Sequence, residues 1–542
     1  MPIASKEHPA DPDTGLFSQL RWSYLPPLMV YLAAGISGLT AIVGTFFVKD
    51  YLGLSATFLA GLAFWAGIPW ALKMPLGHFV DLIWRWKFIM VYVGAGLITS
   101  SILIMYGLIS HTDQMTAYMT IEAWFVTSAL LAPIGYVVQD VVADAMTVEA
   151  VPNRDDEGVL YSERQSKAMH TTMQTLGRFA IIGGFAFVAA LNIFMFSGVE
   201  FMTQPEKIEI YSKIYTAALI VPVISVVGVM LGQMMLRNRA KTMRGHGMKE
   251  KEIDSLLFRT TQETKPNWWI FGGSGVFVIF TLIMGLGNYA YGQEVIFIGS
   301  MAIVLFLMSR LIRELDPRVA RALVGTAIII FMFRATPSPG AGATWFEIDV
   351  LGFDQQFLSI LSLFTSGLTL IGMVLLRPLM ATKSIAFIIV FLTIAAGFLS
   401  LPNIGLFYGL HHWTEAWSGG IIDARFIAIL DTAIESPLGQ IAMIPMLAWI
   451  AKNAPVNLKA TFFAVMASFT NLALSASALS TKYLNKIFFV TREVKDRVTG
   501  EVTTEADYGE LGLLLISATL IIVILPLAAV IIIQNSRFKT TQ

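Results

Sequence analysis

The residues best suited to chemistry are acidic groups at the end of a long apolar segment. The stretch 136–149 carries Asp140, Asp144 and Glu149 among mostly apolar neighbours. A carboxylate inside a bilayer costs at least a few kcal/mol, so such groups normally face a bundle interior or a watery cavity. Asp140 and Asp144 are four residues apart, which places them on one face of a helix. This pattern predicts either a proton or cation relay or a cytoplasmic gate in which the carboxylates pair with basic residues, and one residue can serve both roles.

The composition is that of a polytopic membrane protein. Of the 542 residues, 56% are hydrophobic and 14% are charged, whereas about a quarter of the residues in soluble domains are charged. The absence of Cys excludes disulfides, thiolate metal sites and Cys nucleophiles. The formal net charge is zero, so we expect no nucleic-acid partner. The first twenty residues contain no apolar run, so we expect no cleavable signal peptide.

Apolar segments of membrane-spanning length recur along the chain. A spanning helix needs about 20 mostly apolar residues. We predict an all-α protein with about fourteen such helices, at 24–48, 54–72, 88–109, 119–142, 172–196, 211–236, 268–286, 295–312, 320–336, 357–376, 385–401, 426–450, 460–480 and 511–533.

The distribution of Lys and Arg predicts the orientation, because these residues concentrate in cytoplasmic loops. The connection 237–265 is strongly basic, whereas the loops 337–354 and 403–423 contain neither Lys nor Arg. We therefore expect both termini in the cytoplasm and two halves that rock around a site at the membrane midplane. The predicted units are a tail 1–23, a six-helix bundle 24–237, a basic loop 238–267, a two-helix insert 268–312, a second six-helix bundle 313–536 and a tail 537–542.

Further polar residues fall at membrane depth, namely Lys73, Arg178, Arg334, Asp431, Glu435 and Asn471. Each of them, taken alone, could simply pair with another and hold two helices together. As a set they carry more buried charge than a bundle needs, and they predict an amphoteric cavity. Arg offers a planar fork that suits carboxylates, and the order of the spans favours a pair between Arg178 and Asp140. Asp431 or Glu435 could accept paired N–H donors from a flat heterocycle.

The connection after the second span contains Gly77, Asp81 and Arg85. This connection resembles a loop signature of the major facilitator superfamily, in which a Gly allows a tight turn and an Asp pairs with basic residues to latch the inward gate. Leu82 replaces the basic residue that normally follows the Asp. We expect these residues to form the cytoplasmic gate together with Glu149.

Several stretches together resemble the folate–biopterin transporter family of that superfamily. They include Pro-Trp-Ala-Leu-Lys at 69–73, Asp-Val-Val-Ala-Asp at 140–144 and Phe-Met-Phe-Arg-Ala-Thr-Pro-Ser at 331–338. The resemblance implies the two-bundle fold and uptake of folates or pterins driven by a proton gradient. It assigns functional roles by match to Lys73, Asp140, Asp144, Arg178 and Asp431. The chain departs from the family in its two-helix insert and in Arg334, which stands where an apolar or amide residue is expected.

The resulting hypothesis is a proton-coupled secondary transporter for folate- or pterin-type anions in the cell (inner) membrane. Its partners are the substrate anion, protons and the lipid bilayer, and we expect a monomer without cofactor or metal. The predicted substrate-binding residues are Lys73, Arg178, Arg334, Asp431, Glu435 and Asn471. The predicted proton-coupling residues are Asp140 and Asp144, and the gating residues are Gly77, Asp81, Arg85 and Glu149.

Two alternatives remain from the sequence. One is a permease of the same superfamily for another organic anion, such as a muropeptide or an acyl-coenzyme A. The other is a non-transporting membrane protein, such as a pigment-binding or assembly factor or a nutrient sensor. An enzyme is not expected, because the chain shows no zinc motif, no Ser–His–Asp arrangement and no phosphate-binding Gly loop.

Overall fold

The computed structural model describes most of the chain. The described residues are 21–257 except 53, 72, 152–162 and 246, a few isolated positions within 258–290, and 291–540 except 314–315, 376–382, 437–458 and 497–498. The predicted span 268–286 therefore lies mostly outside the described residues, and the later part of the predicted span 426–450 lies outside them altogether.

In the first half, up to residue 257, every regular element among the described residues is a helix. They are α1 (Leu25–Ile36), α2 (Ala41–Tyr51), α3 (Ala56–Ala71), α4 (Lys73–Leu82), α5 (Phe88–Ser110), α6 (Thr112–Thr116), α7 (Ile121–Ala150), α8 (Glu163–Met195), α9 (Gln204–Ala218), α10 (Ile220–Gly245) and α11 (Glu250–Leu257). Short 3-10 turns at Trp22–Tyr24, Ser37–Thr40, Trp84–Trp86 and Val199–Phe201 join or extend them.

The second half begins after one helix of the insert, α12 (Gly292–Ile312). Its helices are α13 (Pro317–Arg334), α14 (Ala341–Asp349), α15 (Gln355–Leu375), α16 (Ile385–Phe407), α17 (Leu410–Ser418), α18 (Ala424–Glu435), α19 (Lys459–Ile487) and α20 (Leu511–Gln534). Between α19 and α20, β1 (Val494–Lys495) pairs antiparallel with β2 (Val502–Thr504).

The observed helices confirm the all-α prediction but not the full number of spans. Within the described ranges, nine helical stretches are long and apolar enough to cross a membrane. They correspond to the predicted spans one to six and to the spans predicted at 357–376, 385–401 and 511–533. A shorter apolar helix at Gly292–Phe306 matches part of the insert. The count of fourteen remains a prediction.

Paired glycines set the closest helix contacts in the first half. Gly94 of α5 and Gly135 of α7 face each other, and a Cβ built on Gly94 would lie 2.6 Å from the Gly135 carbonyl oxygen. Gly35 of α1 and Gly184 of α8 meet in the same way, with 2.8 Å between a Cβ on Gly184 and the Gly35 Cα. Inside a bilayer there is no hydrophobic driving force between helices, so they associate through close packing. Small residues allow this because they let the two backbones approach each other. The glycines therefore fix the pairs α5–α7 and α1–α8.

The two halves meet along two pairs of helices, α3 with α19 and α8 with α15. The insert helix α12 packs against α19 and α3, at the seam between the halves. Its Gln293 donates to the Gly61 carbonyl of α3 at 3.2 Å and accepts from Lys482 of α19 at 2.8 Å. The insert thus contacts both halves through one side chain.

Two predicted features are wrong in detail. The connection expected to form a tight turn at Gly77 is helical as far as Leu82, and Gly77 has ordinary helical backbone. The loops predicted at 337–354 and 403–423 contain the helices α14 and α17. Gly340, with φ of +77°, serves as the N-cap of α14.

Candidate functional site

The centre of the site is an ammonium group held between two carboxylates. Lys73 Nζ lies 2.5 Å from Asp140 Oδ2 and 2.7 Å from Asp144 Oδ2. Lys73 begins α4, and the aspartates lie one turn apart on α7, so the two helices bring the three groups together. The Tyr31 hydroxyl donates to Asp144 Oδ1 at 2.6 Å, which adds α1 to the same cluster.

The cluster has one more negative than positive charge when both aspartates are ionised. A proton on either carboxylate leaves the other paired with Lys73, so proton uptake does not leave a lone buried charge. The predicted grouping of Lys73, Asp140 and Asp144 therefore has a geometry that suits either proton exchange or a gate.

The expected pair between Arg178 and Asp140 does not form, because Lys73 takes that position. Arg178 lies within electrostatic range of Asp140 and also of Arg334. Within the described part of the chain, neither Arg178 nor Arg334 has an ion-pair partner. The structure thus brings two half-buried guanidinium groups, from α8 in the first half and α13 in the second, into one neighbourhood.

A separate acidic group lies in the second half. Asp431 is 7% exposed; its Oδ2 accepts from Asn403 Nδ2 at 3.1 Å, and its Oδ1 has no hydrogen-bond partner among the described residues. Glu435 follows one turn later at the end of α18 and is exposed. Glu347 of α14 lies within electrostatic range of Asp431. The sequence reasoning missed Asn403 and Glu347, because both lie in segments that it treated as loops.

Asn471, which we predicted to bind substrate, lies at the seam between the halves. Its Nδ2 donates to the Trp70 carbonyl at 3.1 Å, so it joins α19 to α3 across the seam. We found no contact between Asn471 and the arginines or carboxylates in the described chain. The observed role is a link between the two halves.

The predicted gate residues divide into two contacts at one end of the first half. Glu149 Oε1 lies 2.5 Å from Lys87 Nζ, and Arg85 reaches Asp254 of α11 at 3.8 Å. Burial raises the pKa of the Glu149 carboxyl above its usual value and lowers the pKa of the Lys87 ammonium. Asp81 lies in α4, and its side chain falls outside what the structure describes.

A second charged contact, which the sequence did not reveal, joins the halves. Lys49 at the end of α2 forms an ion pair with Asp349 at the end of α14, and their side chains are 1% and 8% exposed. Tyr508 donates to Asp349, and Arg492 donates to the carbonyls of Lys49 and Leu54. The contact thus brings together the end of α2, the end of α14 and the segment between α19 and α20.

Potential metal ligands do not gather in the described residues. No group of three His, Asp or Glu side chains there has the arrangement of a metal site. His411 and His412 are neighbours with ring centroids 4.0 Å apart at the start of α17.

Comparisons with known proteins agree with this architecture. The model of the BT1 family matches residues 34–541. A folate-biopterin transporter from Synechocystis sp. is 23% identical over 459 residues, which cover 83% of this chain and 72% of that protein.

Solved structures share the fold at low sequence identity. A POT family transporter in complex with 5-aminolevulinic acid has a TM-score of 0.61 and 13% identity, covering 96% of this chain and 97% of that one. The nucleoside transporter NupG has a TM-score of 0.53 and 11% identity, covering 94% and 99%. The family and these neighbours are transporters and not enzymes. The chain belongs to the BT1 family of membrane transporters and has the two-bundle fold of the major facilitator superfamily.

Proposed function

We propose that this transporter carries a folate- or pterin-type anion across the cell (inner) membrane together with protons, as a monomer with both termini in the cytoplasm. The observation that carries the proposal is the position of Lys73 between Asp140 and Asp144. Two carboxylates that share one ammonium can take up and release a proton at little cost in unpaired charge. This is the property that a coupling site needs.

The unpaired charges suit the two ends of such a substrate. Arg178 and Arg334 lack ion-pair partners among the described residues, and a guanidinium binds a carboxylate through two parallel hydrogen bonds. The free Oδ1 of Asp431 can accept an N–H donor, as the 2-amino-4-oxo edge of a pterin would provide. The substrate would thus lie between α8 and α13 at its acidic end and near α18 at its ring.

The arginines give a test of the substrate's orientation. Replacing either one by Ala removes a charge-assisted hydrogen bond worth about 1.5–3 kcal/mol, or roughly a 10- to 100-fold loss of affinity. We expect Arg178→Ala and Arg334→Ala to weaken folate binding to this extent, while leaving a pterin that lacks the glutamate tail almost unaffected. Equal losses for both ligands would contradict the orientation.

The proposal as a whole is tested by uptake of radiolabelled folic acid into proteoliposomes, with and without an inward proton gradient. Empty liposomes are the control. Accumulation that depends on the gradient would support both substrate class and coupling, whereas binding without accumulation would reject the proton as the coupling ion. Competition by a pterin, a muropeptide and an acyl-coenzyme A in the same assay separates the candidate substrates. No competition by the pterin would reject the folate class.

A further inference from the structure

The helix α17 (Leu410–Ser418) has an exposed aromatic face. Trp413 and Trp417 are 66% and 75% exposed, and their rings lie nearly parallel, with centroids 6.4 Å apart. The spacing of four residues places them on the same side of the helix, and Leu410 joins them there. Such a face in water would be an unusually large apolar patch.

The same helix has two other faces of different character. Thr414 and Ser418 contact the protein: Thr414 Oγ1 donates to the Ile422 carbonyl at 2.8 Å, and Ser418 Oγ accepts from Ile422 N at 2.8 Å. His412 and Glu415 are exposed, and by helical geometry they point away from both the tryptophans and the protein contacts. The helix is therefore fixed to the fold with one apolar and one polar side left uncovered.

The position of α17 in the chain identifies what covers the apolar side. It follows the membrane span α16 (Ile385–Phe407) directly, and Gly409, with φ of +81°, forms the turn between them. From residue 387 to residue 401, α16 has an exposed apolar face of the kind that lipid covers on a membrane-spanning helix. This face consists of Phe387, Phe391, Ile394, Phe398 and Leu401. Tyr408, at the end of α16, is 62% exposed. Only Tyr408 and Gly409 separate the two helices, so α17 lies at the end of this exposed apolar span.

We propose that α17 lies in the membrane interface at the end of α16, with Leu410, Trp413 and Trp417 inserted among the lipids and with His412 and Glu415 in water. Trp is enriched at membrane interfaces because its ring is apolar and its N–H is polar. A helix with these two sides lies in the plane of the interface. The helix would anchor the connection between α16 and α18, which carry Asn403 and Asp431.

The chain has no Cys, so a single introduced Cys can carry a nitroxide label without background. The experiment places labels at Trp413→Cys and Trp417→Cys, with His412→Cys and Glu415→Cys as matched controls on the same helix. The protein is reconstituted in vesicles of phosphatidylcholine and phosphatidylglycerol. Collision with oxygen, which concentrates in the bilayer, is compared with collision with a nickel chelate, which stays in water.

We expect the ratio of oxygen to nickel collisions to be several-fold higher at 413 and 417 than at 412 and 415. Equal ratios at all four positions would overturn the proposal. Labels at 413 and 417 that are shielded from both reagents would also overturn it, because they would indicate a protein partner or a second copy. If the Trp variants do not fold, Leu410→Cys tests the same face with both Trp side chains retained.

Discussion

Lys49 and Asp349 form a buried ion pair that joins the two halves of the transporter at one end. Their side chains are 1% and 8% exposed, and Arg492 and Tyr508 hydrogen-bond to the same two segments. A buried pair of charges is strongly destabilised when one partner is removed, by about 3–5 kcal/mol. We expect the two halves to rock relative to each other, so that energy would appear as a change in the conformational equilibrium.

Asp349→Asn is therefore expected to open this end of the molecule. Spin labels on Phe201→Cys in the first half and Val350→Cys in the second are well placed, since the native side chains are 86% and 55% exposed. Pulsed electron paramagnetic resonance should show a longer distance between these labels in the Asp349→Asn background than in the native one. Glu209→Gln is the control, because it breaks an exposed ion pair with Lys213 within one helix. Identical distance distributions in the native, Asp349→Asn and Glu209→Gln backgrounds would show that the ion pair between Lys49 and Asp349 does not hold this end closed.

The contact between α5 and α7 gives a second prediction. A Cβ on Gly94 would lie 2.6 Å from the Gly135 carbonyl oxygen, whereas a Cβ on Gly96 of the same helix would meet nothing within 4 Å. Gly94→Ala should destabilise the protein by about 1–3 kcal/mol because the helices must separate. Gly96→Ala should be neutral or stabilise it by up to about 1 kcal/mol. Unfolding in detergent measures both, and equal effects would contradict the packing described.

The sequence predicted the architecture well because the bilayer dictates helix length and composition. It also identified Asp140 and Asp144, since two acidic residues in an apolar segment are conspicuous. It misplaced Arg178 because the order of spans indicates depth but not which face a residue occupies. In the structure α7 packs more extensively against α4, which carries Lys73, than against α8, which carries Arg178.

The pair Lys49–Asp349 shows what could not be predicted. Both residues fall near the ends of helices, where charged side chains are ordinary, and nothing in either segment indicates a partner. Their contact depends on how the halves dock, which is set by α3 with α19 and α8 with α15. The hydrogen bond from Asn471 could not be predicted for the same reason, since its partner is a backbone carbonyl of the other half.

The Lys87–Glu149 contact predicts a particular dependence on pH. Because burial raises the pKa of Glu149, the folded protein binds that proton more readily than the unfolded chain does. The contribution of this group to stability therefore grows as the pH falls through the raised pKa and is lost as the pH rises. The lowered pKa of Lys87 acts in the opposite sense, so its contribution grows as the pH rises through that pKa.

At a pH between the raised pKa of Glu149 and the lowered pKa of Lys87, both side chains are charged. The pair therefore contributes least to stability in that pH range. Glu149→Ala alone should cost about 3–5 kcal/mol at neutral pH, because it leaves Lys87 buried without its partner. The double variant Lys87→Met, Glu149→Ala should recover most of that loss. Thermal unfolding of the native protein, Glu149→Ala, Lys87→Met and the double variant across pH tests this cycle, and additive losses would show that the two side chains do not interact.

The cluster around Lys73 allows stability and transport to be separated. Lys73→Ala leaves Asp140 and Asp144 one turn apart without their shared ammonium, so we expect a loss of about 3–5 kcal/mol in stability. In the triple variant Lys73→Ala, Asp140→Asn, Asp144→Asn the repulsion is removed and the fold should recover.

If the carboxylates exchange protons, this restored protein will still bind folate but will not accumulate it under a proton gradient. Exchange of internal for external folate without a gradient is the control, because it requires substrate movement but no net proton flux. Recovery of gradient-driven accumulation in the triple variant would show that the three residues only hold α4 against α7.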